Sequence, residues 1–213
     1  MAIGVKDLDL DQDSLPIERA LGVQWCTETD TFQFKISVKE QTKTRRGILS
    51  MVSSVYDPLG FLAPFILRAK IILQELCRLG LDWDDPIPPN METLFSSWFQ
   101  DLQGLSNFQV NRCLRPQNYG EIKSAQLHHF ADASESGYGT VTYLRTENSS
   151  GKINCAFVMG KARVTPLKPV TIPRLELTAS TVAVRTNKML LRELDIPIDR
   201  SVFWTDSMSV CGI

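Results

Sequence analysis

The sequence predicts an α+β fold with an α/β-type crossover: a helical first half, then a mixed β-sheet unit of order βββαβ. Three observations predict it. Apolar residues recur at helical spacing from about residue 42 to 105, then alternate at strand spacing from about 126 to 162. A long amphipathic run, Arg174 to about Leu194, precedes one last short apolar run, Ser201–Thr205. Finally, Asp132 closes the first of these strands, Glu176 opens the long helix and Asp206 closes the last strand.

Residues 1–19 read as a polar lead-in. Residues 20–39 predict a β-hairpin: Leu21-Gly-Val-Gln-Trp25, a turn around Glu28–Asp30, then alternating Phe32, Phe34, Ile36 and Val38. From Thr42 the period changes, and Ile48, Met51, Val52 and Val55 suit a helix face that ends at Asp57-Pro-Leu-Gly60. A second helix runs from Pro64, in its first turn, to about Leu79, with Gly80 as its stop. Its apolar positions Ile66, Ile71, Leu73, Leu76 and Leu79 wrap broadly. After the Asp- and Pro-rich loop 82–89, Asn90 is placed as the N-cap of a third helix with Leu94, Trp98, Leu102 and Leu105 on one face. A short strand, Phe108 to Leu114, leads into a polar connector at 115–124, where the domain boundary is expected.

The second domain, 125–213, has a different grammar. Gln126–Ala133, Gly137–Leu144 and Ile153–Ala162 predict an antiparallel meander with turns at Ser134–Ser136 and Glu147–Lys152. The helix from Arg174 puts Leu175, Ala179, Val182, Thr186 and Met189 on one face. A helical crossover returns the fourth strand parallel to the first, which sets Asp132 beside Asp206. The chain stops soon after that strand. A parallel strand needs cover on both faces, so the sequence is expected to be a piece of a longer polypeptide.

Bulk composition excludes several classes. The 213 residues are 43% hydrophobic and 22% charged, ordinary for a globular protein. A net charge of −1 gives no global nucleic-acid footprint, so any such contact is expected from local basic patches or from other parts of a larger protein. Cys26, Cys77, Cys113, Cys155 and Cys211 are scattered without a Cys-x-x-Cys pair, which argues against zinc and for free thiols in a reducing compartment. Asp7, Asp9, Asp11 and Asp13 stand where a signal peptide needs an apolar core. The apolar run near Phe61–Leu67 is broken by Pro64 and Arg68, so no membrane span is expected.

Three carboxylates brought to one point repel one another unless a cation sits among them. Oxygen-only ligands suit Mg²⁺ or Mn²⁺, and the chemistry that follows is metal-assisted phosphoryl hydrolysis. Each acid also has an ordinary structural use. Asp132 can cap the turn at Ser134 or Ser136, Glu176 can favour the helix dipole, and Asp206 can cap a following helix. Jointly, in this order of elements, they favour a metal site.

Other features weigh less. His128 and His129 alternate on a strand and read as structural. Lys43, Arg45 and Arg46 make a basic cluster at a helix start, open to two readings: a phosphate-backbone contact or a solvated helix end. Trp98 and Phe99 fit core packing, and Ser134 and Ser207 lack a partnered base.

With Phe130-Ala-Asp132-Ala-Ser134, Gly137-Tyr-Gly139, Arg174-Leu-Glu176-Leu and Trp204-Thr-Asp206-Ser207, the second half resembles ribonuclease H. Residues 20–213 as a whole resemble the Pol polyprotein of Pao/BEL-type LTR retrotransposons. Leu21-Gly-Val-Gln-Trp25, Gly47-Ile-Leu-Ser-Met-Val-Ser-Ser-Val-Tyr-Asp-Pro-Leu-Gly60 and Ile172-Pro-Arg-Leu-Glu-Leu177 carry that likeness together with the acid motifs.

The resemblance implies that 20–114 is the reverse transcriptase's thumb and connection tail, and that 125–213 is a C-terminally truncated ribonuclease-H-like domain. It implies two-metal hydrolysis of the RNA strand of RNA–DNA hybrids, in which Asp132 bridges two ions and Glu176 and Asp206 hold the leaving-group ion. Ser134, Arg174 and Ser207 then join the basic cluster as nucleic-acid contacts. The implied partners are the hybrid and the rest of Pol, in the cytoplasm or in virus-like particles.

Two departures temper this. The polymerase's Tyr-x-Asp-Asp motif is absent, and the family's fourth nuclease acid would lie beyond Ile213, so the nuclease is expected to be incomplete in this chain and weakly active or inactive by itself. The sequence also shows no Asp-Thr-Gly or Asp-Ser-Gly triplet, so it supports no proteolysis. The rival expectation is a non-catalytic connection or tether module, or a degenerate relic. An integrase-like nuclease would set its acids on a different framework.

Overall fold

A computed structural model describes residues 18–20, 23–34 and 42–211. Leu21, Gly22, Ile36 and Val38 of the expected hairpin, and most of the polar lead-in, lie outside the described residues. The rest of the hairpin is present as β2 (Val23–Cys26) and β3 (Thr31–Gln33), joined through Asp30 at φ 51. With β1 (Glu18–Ala20) and β4 (Gln109–Asn111) they form an antiparallel sheet of order β1-β2-β3-β4. β4 adds to β3 across more than seventy residues of chain.

Three helices pack against this sheet: α1 (Arg45–Ser54), α2 (Ala63–Arg78) and α3 (Pro89–Gly104). Thr44 caps α1, its side-chain oxygen accepting from the Gly47 amide at 3.2 Å. Gly80, at φ 71, supplies the left-handed residue that stops α2. The core centres on Ile48, Leu76, Trp98 and Leu102, none of which reaches solvent.

Three sequence expectations need correction here. Pro88, not Asn90, precedes α3; Pro89 takes the first-turn place where its missing N–H costs nothing, and Asn90 lies inside that turn. The buried face of α3 is Met91, Phe95, Trp98 and Leu102, a 4-3-4 spacing that follows the 3.6-residue period. The repeated step of four through Leu94 drifts around the helix, and Leu94 ends up exposed. Leu79 is likewise exposed at the end of α2.

The second sheet has the order β7-β6-β5-β8, from β5 (Ile122–Ala133), β6 (Gly137–Asn148), β7 (Ile153–Val164) and β8 (Arg200–Trp204). β5, β6 and β7 form the antiparallel meander, and β8 returns parallel to β5 after α4 (Ile172–Glu193). The expected crossover is therefore observed. A short α5 (Met208–Cys211) follows β8. α4 covers one face of the sheet with Leu175, Ala179, Ala183, Thr186 and Leu190.

The polar segment before β5 is not loose. Tyr119 is buried, and its hydroxyl shares its one proton between the carbonyls of Thr146 at 2.8 Å and Lys152 at 2.7 Å. The first half docks on β7, the edge strand. The Gly160 amide donates to the Leu59 carbonyl at 2.8 Å, and the Phe61 and Phe157 rings lie 4.7 Å apart. An otherwise bare sheet edge is thereby covered. No helix among the described residues is long and apolar enough to cross a membrane.

Candidate metal centre

Strand alternation sorts β5 into two faces. Leu127, His129 and Ala131 are buried toward α4, whereas His128, Phe130 and Asp132 face the other way. The parallel register pairs Phe130 with Trp204, so Asp132 and Asp206, each two residues further along, emerge at adjacent strand ends. α4 then delivers the third acid. It starts at Ile172-Pro173, and Glu176 falls one turn inside it on the face turned toward the sheet.

The three side chains meet: one carboxylate oxygen from each of Asp132, Glu176 and Asp206 lies within 4.8 Å of the others. Asp132 and Asp206 are exposed, but Glu176 is only 7% exposed. Its Oε2 is buried and has no hydrogen-bond partner. Burial pushes the Glu176 carboxyl above its ordinary range, and the nearby charges of Asp132 and Asp206 push the same way. The Ala133 amide, which donates to Asp132 Oδ1 at 2.8 Å, opposes this weakly.

Such a cluster is unfavourable as it stands. An orphaned buried carboxylate oxygen beside two further carboxylates fits a hard divalent cation, which takes oxygen ligands and supplies the missing charge. The residues present therefore suit Mg²⁺ or Mn²⁺.

The ordinary structural uses of two of these acids fall to other residues. The β5–β6 turn is tied by Ser134, whose hydroxyl donates to the Gly137 carbonyl at 3.1 Å and accepts from the Gly137 amide at 3.2 Å. Ser207, not Asp206, caps α5, because its carbonyl accepts from the Cys211 amide at 3.1 Å. Arg174 stands exposed on the first turn of α4, two positions before Glu176.

The basic cluster is engaged within the fold. Lys43 pairs with Glu92, and Arg46 holds Asp84 at 2.8 and 3.0 Å. Arg45 donates to the Leu81 carbonyl and lies 4.5 Å over the Trp83 ring.

Sequence reasoning missed a buried polar link beneath the site. His129, with no exposure, bonds Thr142 on β6 at 2.8 Å and Asn187 on α4 at 3.0 Å. Ser201 on β8 donates to the same Asn187 oxygen at 2.7 Å. Because Asn187 Oδ1 can only accept, His129 carries its proton on Nε2 and accepts the Thr142 hydroxyl at Nδ1. The signal was available: Asn187 follows Glu176 by eleven residues, three helical turns, on the same face of α4.

Residues 44–207 match the family model described as the Pao retrotransposon-like RNaseH-like domain. The structure of a foamy viral protease-reverse transcriptase dRH in complex with double-stranded DNA has a similar fold, with a TM-score of 0.50 at 15% identity. The likeness covers 91% of this chain and 31% of that one, so this chain spans less than a third of that protein's length. No curated protein matches the chain. With more than half of its residues inside the family match, and with the βββαβ order and the three acids in place, the chain belongs to the Pao retrotransposon-like RNaseH-like domain family.

Proposed function

We propose that the chain is a Pol segment whose Asp132, Glu176 and Asp206 hold divalent cations for hydrolysis of the RNA strand in RNA–DNA hybrids. The buried, unpartnered Oε2 of Glu176 between two other carboxylates carries this reading. A tether or a surface turn gives a buried carboxylate nothing to do. Mg²⁺ or Mn²⁺ bound there would supply Lewis-acid stabilisation of charge on the phosphoryl oxygens.

The protein's own part is placement. The parallel pair β5 and β8 fixes Asp132 and Asp206 side by side, and the packed first turn of α4 fixes Glu176 beneath them. The RNA strand would be selected through its 2′-hydroxyls. In this reading residues 20–114 are the reverse-transcriptase tail, 115–124 the connector and 125–213 the nuclease domain. The partners would be the hybrid and the rest of Pol, in the cytoplasm or in virus-like particles.

The test is cleavage of a labelled RNA strand in an RNA–DNA hybrid by this chain with Mg²⁺ or Mn²⁺, beside Asp206→Asn. Cation-dependent cleavage lost in the variant supports the nuclease. A folded chain that neither cleaves nor binds Mn²⁺ by calorimetry sinks it.

A further inference from the structure

Cys113 and Cys155 come from the two halves of the chain and line one cleft. Cys113 follows β4 on the way to the connector, and Cys155 lies on β7. β7 is the sheet edge on which the first half docks, at the opposite side of the sheet from β8. The cleft between them holds about 480 Å³, with Asp30, Arg115, Asn154 and Phe157 among its walls. Cys26, Cys77 and Cys211 do not line it.

The segments that carry the two thiols touch. The side-chain amide of Asn154, the neighbour of Cys155, donates to the carbonyl of Leu114, the neighbour of Cys113, at 2.9 Å. On β7, Cys155 pairs with Arg145 and Phe157 with Tyr143, so Cys155 shares a face with Phe157. The Phe157 ring in turn packs on Phe61 of the first half. Cys113 stands outside helix and strand. No ladder bond therefore holds its Cα back from the approach within roughly 7 Å that a disulfide needs. Both thiols are free and exposed, so a small oxidant can reach them.

We propose that Cys113 and Cys155 form a reversible disulfide, a redox-sensitive staple between the connector and β7. The oxidant is a small-molecule disulfide of the glutathione class. The Cys155 thiolate attacks one of its sulfurs, which forms a mixed disulfide and releases one glutathione thiolate. The Cys113 thiolate then attacks the Cys155 sulfur, which forms the protein S–S bond and releases the second glutathione. Two protein thiols lose two protons and two electrons, and one glutathione disulfide becomes two thiols. Cys155 leads because the Asp30 carboxylate beside Cys113 pushes that thiol up and so disfavours its thiolate. A reducing poise keeps the staple open, and a more oxidising one closes it. Closed, it fixes the connector to the strand that Leu59 and Phe61 already clasp.

The test is oxidation of the full chain with glutathione disulfide, alkylation of the remaining thiols, and tryptic mass mapping without reductant. Cys113 falls in peptide 113–123 and Cys155 in peptide 153–161. The expected main product of the folded chain is these two peptides linked, two hydrogens lighter than their sum. In Cys113→Ser, glutathione should stay on Cys155, because no second thiol displaces it. Oxidation in urea should scatter the pairing over all five cysteines. The oxidised folded chain should also unfold at a higher urea concentration than the reduced one, because the link closes a long loop in the unfolded state. Stable glutathione adducts on both cysteines overturn the inference, and so does a main link from Cys113 to Cys26. The same pairing pattern from folded and urea-unfolded chain would overturn it too. The readout needs no divalent cation and no nucleic acid, so it stands apart from the nuclease reading.

Discussion

Gly60 and Gly160 meet backbone to backbone where the first half of the chain clasps the edge of the second sheet. A Cβ on Gly60 would lie 1.9 Å from the Gly160 carbonyl oxygen, and one on Gly160 would lie 3.0 Å from the Gly60 carbonyl oxygen. Gly60 also sits at φ +79, where a side chain is strained. Asp57 holds the loop in this shape, its carboxylate accepting the amides of Phe61 at 2.9 Å and Leu62 at 2.7 Å.

Gly60→Ala is therefore expected to cost more than the strain alone, on the order of 3 kcal/mol or more once the clash is added to about 1–2 kcal/mol for the backbone. Gly80 provides the control. It has a similar φ of +71 but nothing within 4 Å of an added Cβ, so Gly80→Ala should show the strain alone. Urea unfolding of both variants checks this. Equal losses would mean that the loop can lift from β7 at little cost.

Glu176→Gln should stabilise the cation-free protein. It removes one of three like charges that lie a few Å apart, and the gain is on the order of 1 kcal/mol with two of the groups exposed to water. The same change should abolish any stabilisation by Mn²⁺. Thermal melts in EDTA and in Mn²⁺ read both effects. A variant that melts lower in EDTA and still responds to Mn²⁺ would place the cation elsewhere.

Much of the second half was legible because its signals are local. The strands show period two over a few residues each, every acid stands within four residues of one end of the element that carries it, and the parallel return of β8 follows from connection handedness. What was not legible depends on partners far along the chain. β4 joins β3 through pairs such as Thr31 with Asn111. The basic cluster at 43–46 is engaged by Leu81, Asp84 and Glu92, 36 to 49 residues away, which no local pattern encodes. Phe130, Tyr143 and Trp204 become neighbours only once three strands are in register.

His129 makes the second sheet sensitive to acid. Burial holds its imidazole below the ordinary histidine range, and the hydrogen bond to Asn187 only partly offsets this. The folded state thus prefers the neutral ring, so its contribution is present above the ordinary value of 6.5 and is lost as pH falls below it. The chain has only two histidines, and His128 is also shifted down by burial and by Arg145 and Arg200. Imidazole proton resonances should therefore both titrate below 6.5. A resonance lost in His129→Gln but titrating above that value in the parent would contradict the buried neutral ring.

The first sheet should fail in stronger acid, through Asp30. Its carboxylate receives Arg112 Nε on Oδ1 and Arg112 Nη2 on Oδ2, the latter at 3.2 Å. The Trp25 indole donates to Oδ1 at 3.0 Å, and the Arg112 guanidinium lies 4.8 Å over the Trp25 ring. The bond to Arg112, helped by Cys113 and Trp25, lowers the Asp30 carboxyl from its ordinary 3.8 to about 2. A depressed carboxyl adds stability that is present above 3.8 and disappears as pH falls toward about 2. Asp30→Asn should be less stable than the parent near neutral pH, with the gap closing below pH 3.8. Urea midpoints of the two proteins between neutral pH and about 3 measure the gap. A gap that stays constant as pH falls would mean that shape and hydrogen bonding, rather than charge, join β4 to the turn between β2 and β3.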